Sequence, residues 1–205
     1  LNDLTIKSFK IGYAPQNGLK EHLKYHGFND EVMVKAGLLR FDKNNNLNEI
    51  FRNRLIFPIF DKKNYPIAFG ARAMFASKAK YLNSPNSLLF QKSETLFGIS
   101  HLNKDKFNSK PLLIVEGYMD VISIFQSKLA NALAPLGTSI SENQIQTIWN
   151  LNSKPLVCLD GDKAGEIAAW RLINRILPIL RIGSEISFVW LPKNKDPDDM
   201  IRNSN

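Results

Sequence analysis

Three pairs of acids stand just after short apolar runs. In PLLIVEGYMD, Glu116 follows the run directly and Asp120 comes four residues later. In KPLVCLDGD the pair is Asp160 and Asp162, and after EISFVWLP the segment KNKDPDD supplies Asp196 and Asp198. If EGYMD opens a helix, Glu116 and Asp120 share a face, because positions i and i+4 are neighbours. Six of the ten acids in residues 111–205 are then expected at one place. Uncompensated carboxylates repel strongly in a low-dielectric cleft, and a divalent cation relieves that repulsion. Hard oxygen donors with open water positions suit Mg²⁺ or Mn²⁺. Each pair also has a plain structural reading: charge at a helix N-terminus, a turn with a cap, a solvated loop. Singly those readings carry at least equal weight. Three acidic pairs at three strand ends are harder to explain as caps. Gly117 and Gly161 are read as room for close approach of a ligand.

The elements that must hold these acids alternate. PLLIV leads into EGYMDVISIFQSK, NALAPL into GTSISENQIQTIWNL, KPLVCL into DGDKAGEIAAWRLINRILPIL, and EISFVWLP into KNKDPDDMI. Strand–helix alternation predicts a parallel sheet with crossover helices, whose functional edge lies beyond the carboxyl ends of the strands. The first half is mixed. FNDEVMVKAGLL has helical spacing with Asn29 or Asp30 as N-cap, and RNRLIFPIF–DKKNYP–IAFGARAMF reads as two strands around a polar turn. Arg52 and Arg54 are expected on one strand face by their i, i+2 spacing. The polar segment HLNKDKFNSKP suggests a boundary, giving domains 1–107 and 108–205.

The chain has 205 residues and a net charge of +8. Residues 1–110 hold 18 Lys and Arg against 9 Asp and Glu, while residues 111–205 hold 9 against 10. The basic surplus lies in the first half and fits a polyanionic partner as well as it fits a solvated surface. The single Cys158 excludes an intrachain disulfide and a cysteine-rich zinc site; its apolar context reads as a buried core thiol. No apolar run is long enough to span a bilayer, so no membrane partner is expected. A reducing cytoplasm fits. The start without Met reads as a fragment.

EGYMD, DGDKAG and DPDD together resemble the Toprim signature of primases, type IA topoisomerases and some nucleases. IGYAP (11–15), RNRLIFPI (52–59), AFGAR (68–72), KYLNSP (80–85), LFQKSETLFG (89–98) and ALAPLGTSI resemble the catalytic core of bacterial DnaG-type primases. Ala71 replaces the usual second Gly of GFGGR, and Gln91-Lys92-Ser93 replaces HKG. The resemblance implies an α/β Toprim domain, a parallel sheet flanked by helices, preceded by a mixed α+β N-terminal subdomain. It implies synthesis of short RNA primers on a single-stranded DNA template from nucleoside triphosphates, by metal-dependent nucleotidyl transfer. Partners would be template, RNA primer, triphosphates and a replicative helicase bound through a C-terminal domain absent here, at replication forks of the nucleoid. No zinc site is expected within these residues.

Asp160, Asp162 and Asp198 would be leading metal ligands, with Asp120 and Asp196 in support. Asp199 is a lesser candidate. Glu116 would be metal-associated and a general base. Arg52, Arg54, Arg72, Lys80, Asn83 and Lys92 would bind nucleic acid or triphosphate, with Ser84 a hydrogen-bond donor and Tyr81 a stacking ring. Competing readings are a Toprim nuclease, a phage or organelle primase–helicase, and a non-catalytic binding module.

Overall fold

The computed structural model describes residues 1–77, 79–102, 110–137 and 139–202. Compactness divides the chain into two units, Ile6–Gln91 and Leu1–Thr5 with Lys92–Asn205. The expected boundary between residues 107 and 108 lies outside the described residues.

In the first unit an antiparallel sheet of order β1-β4-β5-β6 is built from β1 (Gly12–Ala14), β4 (Arg54–Phe60), β5 (Pro66–Ala73) and β6 (Tyr81–Asn83). The expected two strands around DKKNYP are β4 and β5, paired from Arg54↔Ala73 to Phe60↔Pro66. Asp61 closes their turn by accepting from Lys63 and Tyr65 N–H at 2.9 Å, an Asx turn. The hairpin of β2 (Leu39–Phe41) and β3 (Leu47–Glu49) follows α3 (Asp30–Lys35). Asn29 caps α3, accepting from Val32 N–H at 2.9 Å. Phe9, Met33, Leu39, Phe57, Ile59 and Phe90 are its buried apolar centre. The helices α1 (Asp3–Ser8) and α2 (Leu19–Tyr25) are short.

The second unit contains the expected alternation in full. Its elements are β8 (Leu112–Ile114), α4 (Tyr118–Ser127), β9 (Asn131–Pro135), α5 (Glu142–Leu151), β10 (Leu156–Cys158), α6 (Lys163–Ile176), β11 (Ser187–Val189) and α7 (Pro197–Arg202). β11, β10, β8 and β9 are mutually parallel neighbours in that order. The sheet is not wholly parallel. β7 (Leu96–Phe97) adds an antiparallel edge to β9 through Leu96↔Pro135 and Phe97↔Ala134. Two residues are too few to show a period of two, so the sequence pattern gives no sign of this strand. The core joins Leu112, Ile114, Leu133 and Val157 from the strands to Ile145, Ile148, Leu172 and Ile176 from α5 and α6. The chain leaves β8 toward β9 on one side, then returns to β10 on the other. The strand order therefore reverses between β8 and β10, where open α/β sheets form their ligand crevice.

Candidate active site

The acids follow the strands at that crevice. Glu116 lies two residues past β8, and Asp160 lies two residues past β10. Glu116 Oε1 accepts the Asp160 N–H at 2.9 Å, so one hydrogen bond crosses the switch point. Asp120 is 7% exposed and accepts Gly117 N–H at 3.0 Å at the start of α4. Asp162 caps α6, accepting Gly165 N–H at 2.8 Å. Asp196 accepts Asp199 N–H at 2.6 Å ahead of the last turn of the chain.

The acids feel one another. Burial, then the charges of Asp160 and Asp196, push the Asp120 carboxyl up to about 7. Burial, then Glu116, Asp196, Asp162 and Asp199, push Asp160 up to about 6. Asp160 Oδ1 is buried without a hydrogen-bond partner. Burial beside Asp120 and Asp160 pushes the Cys158 thiol up to about 11, so Cys158 is a core thiol rather than a nucleophile.

Asp120, Asp162 and Asp196 each accept a backbone N–H, as the plain structural reading has it, and acids of the same cluster raise the carboxyls of Asp120 and Asp160. Asp198 lies against Asp120, to whose carboxylate its backbone donates, but its own carboxylate is already engaged. Its carboxylate accepts from Ser123 Oγ and from Arg202 Nε at 3.0 Å, and pairs with Arg202 Nη2 at 2.6 Å. Gly161 does not make room for a ligand. A Cβ there would lie 2.1 Å from the Pro192 carbonyl oxygen, because the 192–195 turn is clamped to Gly161 by two backbone hydrogen bonds of 2.8 and 2.7 Å. At Gly117 the space is taken by Asp120 Oδ2, 3.2 Å from a Cβ.

As they stand, no three His, Cys, Asp or Glu side chains among the described residues are arranged to hold a metal ion. The donor chemistry nonetheless fits a hard divalent cation: the donors are oxygens, they carry uncompensated charge, and one buried oxygen lacks a partner.

Gly165 fixes α6 to the acids. A Cβ there would lie 2.1 Å from the Asp160 carbonyl oxygen, a backbone atom that cannot yield cheaply. Gly165→Ala is expected to destabilise the chain by on the order of 2–4 kcal/mol. Urea unfolding would measure this, and an unchanged midpoint would mean that the turn can yield.

The basic candidates divide. Arg72 is half-buried and pairs in register with Tyr81. Lys80 is exposed, with Nζ 5.9 Å from the Tyr81 ring centroid, and Tyr81 is itself exposed. Asn83 is half-buried opposite Gly70. Arg54 is 8% exposed and donates to Ala79 O at 3.0 Å, Lys80 O at 3.4 Å and Ser77 Oγ at 3.1 Å, holding the approach to β6. Arg52 lies outside β4, with Asn53 between them at φ 51°, so the two arginines share no strand face. Arg52 donates instead to Glu49 O at 3.0 Å and Asn48 Oδ1 at 3.1 Å. Ser84 is buried and accepts Phe69 N–H at 3.0 Å, which removes it from a surface role.

Lys92 belongs to the second unit. There the buried Gln144 donates to Lys92 O at 3.0 Å and Thr95 O at 2.7 Å, tying the strap before β7 to α5. Gln144 escaped sequence reasoning. Its signal was the S-x-x-Q capping box with Ser141, which locates the helix start but not the strap. Arg175 was also missed; it donates to Ser139 Oγ at 3.2 Å and to Ile140 O, pinning the loop that follows β9.

Acids at the carboxyl edge of a parallel sheet with its switch between the first and third strands define a Toprim-like domain, and residues 113–201 match the Toprim-like family. Residues 1–103 match the family described as DNA primase catalytic core, N-terminal domain. The chain belongs to the DNA primase catalytic core family, of the DnaG type. DNA primase of Haemophilus influenzae is 39% identical over 200 residues, covering 96% of this chain and 34% of that protein. A crystallised DNA primase domain from Pseudomonas aeruginosa superposes with a TM-score of 0.89 at 38% identity, covering 99% of this chain and 64% of that one. A DnaG primase catalytic domain bound to single-stranded DNA gives 0.87 at 37%, covering 99% and 64%. The chain spans about a third of the length of the curated relatives it matches. No helix among the described residues is long and apolar enough to cross a membrane.

Proposed function

We propose that this chain carries the nucleotidyl-transfer centre of a DNA primase, joining ribonucleotides into a short RNA primer on single-stranded DNA in the cytoplasm, at replicating DNA. The observation that carries this is the buried, unpartnered Asp160 oxygen among mutually repelling carboxylates at the sheet's switch point. Membership of the primase core family and the relative bound to single-stranded DNA support it. The primer's 3′-hydroxyl oxygen bonds to the α-phosphorus of a triphosphate, the bond to the β-phosphate oxygen breaks, and pyrophosphate leaves. Divalent cation, Mg²⁺ or Mn²⁺, supplies charge neutralisation for the attacking and leaving oxygens when bound. Asp160, Asp162, Asp120 and Asp196 would hold it, with Glu116, and with Asp198 once its carboxylate leaves Arg202. Glu116, oriented by the Asp160 N–H, accepts the hydroxyl proton. Gly165 and the Asp162 cap keep α6 fixed while charge develops.

The basic unit serves the strand. Its Lys80, Arg72 and Asn83, and Lys92 of the second unit, contact phosphate or nucleotide, which positions a strand without reading its sequence. Arg54 and Arg52 act by holding β6 and the β3 turn. Lys80→Ala or Arg72→Ala should weaken strand binding and lower the log–log salt slope by about 1 each. Anisotropy titrations in salt measure this; unchanged slope and affinity would assign these residues to the fold alone. A helicase contact is expected outside these residues. The proposal itself is tested with the full-length gene product on single-stranded template. Triphosphate-dependent labelled RNA is the expected product, whereas strand degradation without triphosphates would support a Toprim nuclease.

A further inference from the structure

Beside the acids, a cleft of about 770 Å³ opens between α6 and the end of β11. Asp160 and Asp162 line it together with Trp170 from α6, Trp190 from just past β11, and Lys163 and Lys193. The two indoles are 58% and 64% exposed, in a chain whose third tryptophan, Trp149, is 8% exposed. Their placement is fixed by the fold. Lys163, Glu166 and Trp170 recur at i, i+3 and i+7 along one side of α6. Trp190 shares a side of its extended segment with Phe188, and the rings stack at 6.2 Å and 20°.

Two exposed indoles lining one cleft with charged groups offer a flat apolar surface to a ligand. An apolar protein surface would fit the indoles but would strand Asp160, Asp162, Glu166 and the two lysines away from water, which is costly. A nucleotide offers both halves: a flat π-face for the indoles, and phosphates for the ammonium groups and for cation held at the carboxylates. We propose that Trp170 and Trp190 form a stacking platform for a nucleobase whose phosphates lie at the carboxylates lining the same cleft. This rests on the nucleotidyl-transfer reading and adds a base-binding subsite to it. Three acids against two lysines leave the cleft net negative, so base binding there requires divalent cation.

Tryptophan fluorescence of the 205-residue chain tests this, because Trp149 is shielded and any quench reports the exposed pair. The probes are a short oligothymidine, an abasic strand of equal length and UTP, each with Mg²⁺ and with chelator. The oligothymidine or UTP should quench in Mg²⁺ and far less in chelator, while the abasic strand binds by anisotropy without quenching. Quenching by UTP alone assigns the base to the incoming triphosphate; quenching by the strand alone assigns it to template or primer. Trp170→Ala and Trp190→Ala should each remove part of the quench and weaken base-dependent binding about tenfold. Strand binding without any quench, or equal affinity in both variants, would overturn the platform. So would self-association of the chain that both variants abolish, since the indoles would then serve a protein contact. Asp160→Asn in a primer assay tests the catalytic reading separately: lost synthesis there, with no quench here, fails the platform alone.

Discussion

Asp160→Asn should cut primer synthesis on the order of a thousandfold while leaving single-strand binding nearly unchanged. The substitution keeps the side chain's size and removes one charge from the place where a cation would sit between attacking and leaving oxygens. The basic unit is untouched, so strand affinity stays. The same substitution should raise the thermal stability of the metal-free chain or leave it level. Asp160 Oδ1 is buried without a partner, and four acids push its carboxyl upward. An amide ends that repulsion and can donate a hydrogen bond into the surrounding oxygens. Loss of activity with gain of stability is the signature of a charge kept for chemistry. Near-normal synthesis would remove Asp160 from the centre. Lost synthesis with a sharply lower melting point would instead mark it as structural.

The legible part of this fold was local. Each short apolar run in residues 111–205 is followed by an amphipathic stretch with its own start signal, such as Ser141 with Gln144 or Asp162, so the alternation could be read. Strand order was not readable, because no local feature says that β10 passes over to the far side of β8. The acids were placed correctly beyond the strand ends, yet their partners were not. Asp198 and Arg202 stand at i, i+4, and that spacing already offered the ion pair that engages Asp198. Arg52 and Arg54 failed for a different reason. The i, i+2 rule presumes an unbroken strand, and Asn53 at φ 51° breaks it. Gly161 was read for what it lacks. A missing side chain signals close approach, but only the fold shows that the neighbour is Pro192 O.

The metal-free chain should lose stability as pH rises from about 4 to about 7, and divalent cation should restore it. In the unfolded chain Asp120 and Asp160 ionise near the ordinary carboxylate value. In the native state burial and mutual repulsion raise them to about 7 and about 6. Between those limits the native state holds protons that the unfolded chain has released, so raising pH favours unfolding. For the buried Asp120 the full effect is on the order of 4 kcal/mol, shared with Asp160 because the two repel each other. The depressed carboxyls of Asp42 and Glu31 act in the opposite direction at lower pH, so the raw curve mixes signs. Asp120→Asn isolates the effect. Asparagine keeps an oxygen for the Gly117 N–H and cannot ionise. Relative to the parent chain, the variant's melting point should match at pH 4 and exceed it by several degrees at pH 8 without metal. Added Mg²⁺ should raise the parent more than the variant at pH 8 and neither at pH 4, because binding then competes with protons. A parent-to-variant difference that stays constant from pH 4 to 8 would mean that Asp120 is not held protonated by burial and its acidic neighbours, and the repelling cluster at the switch point would lose its main support.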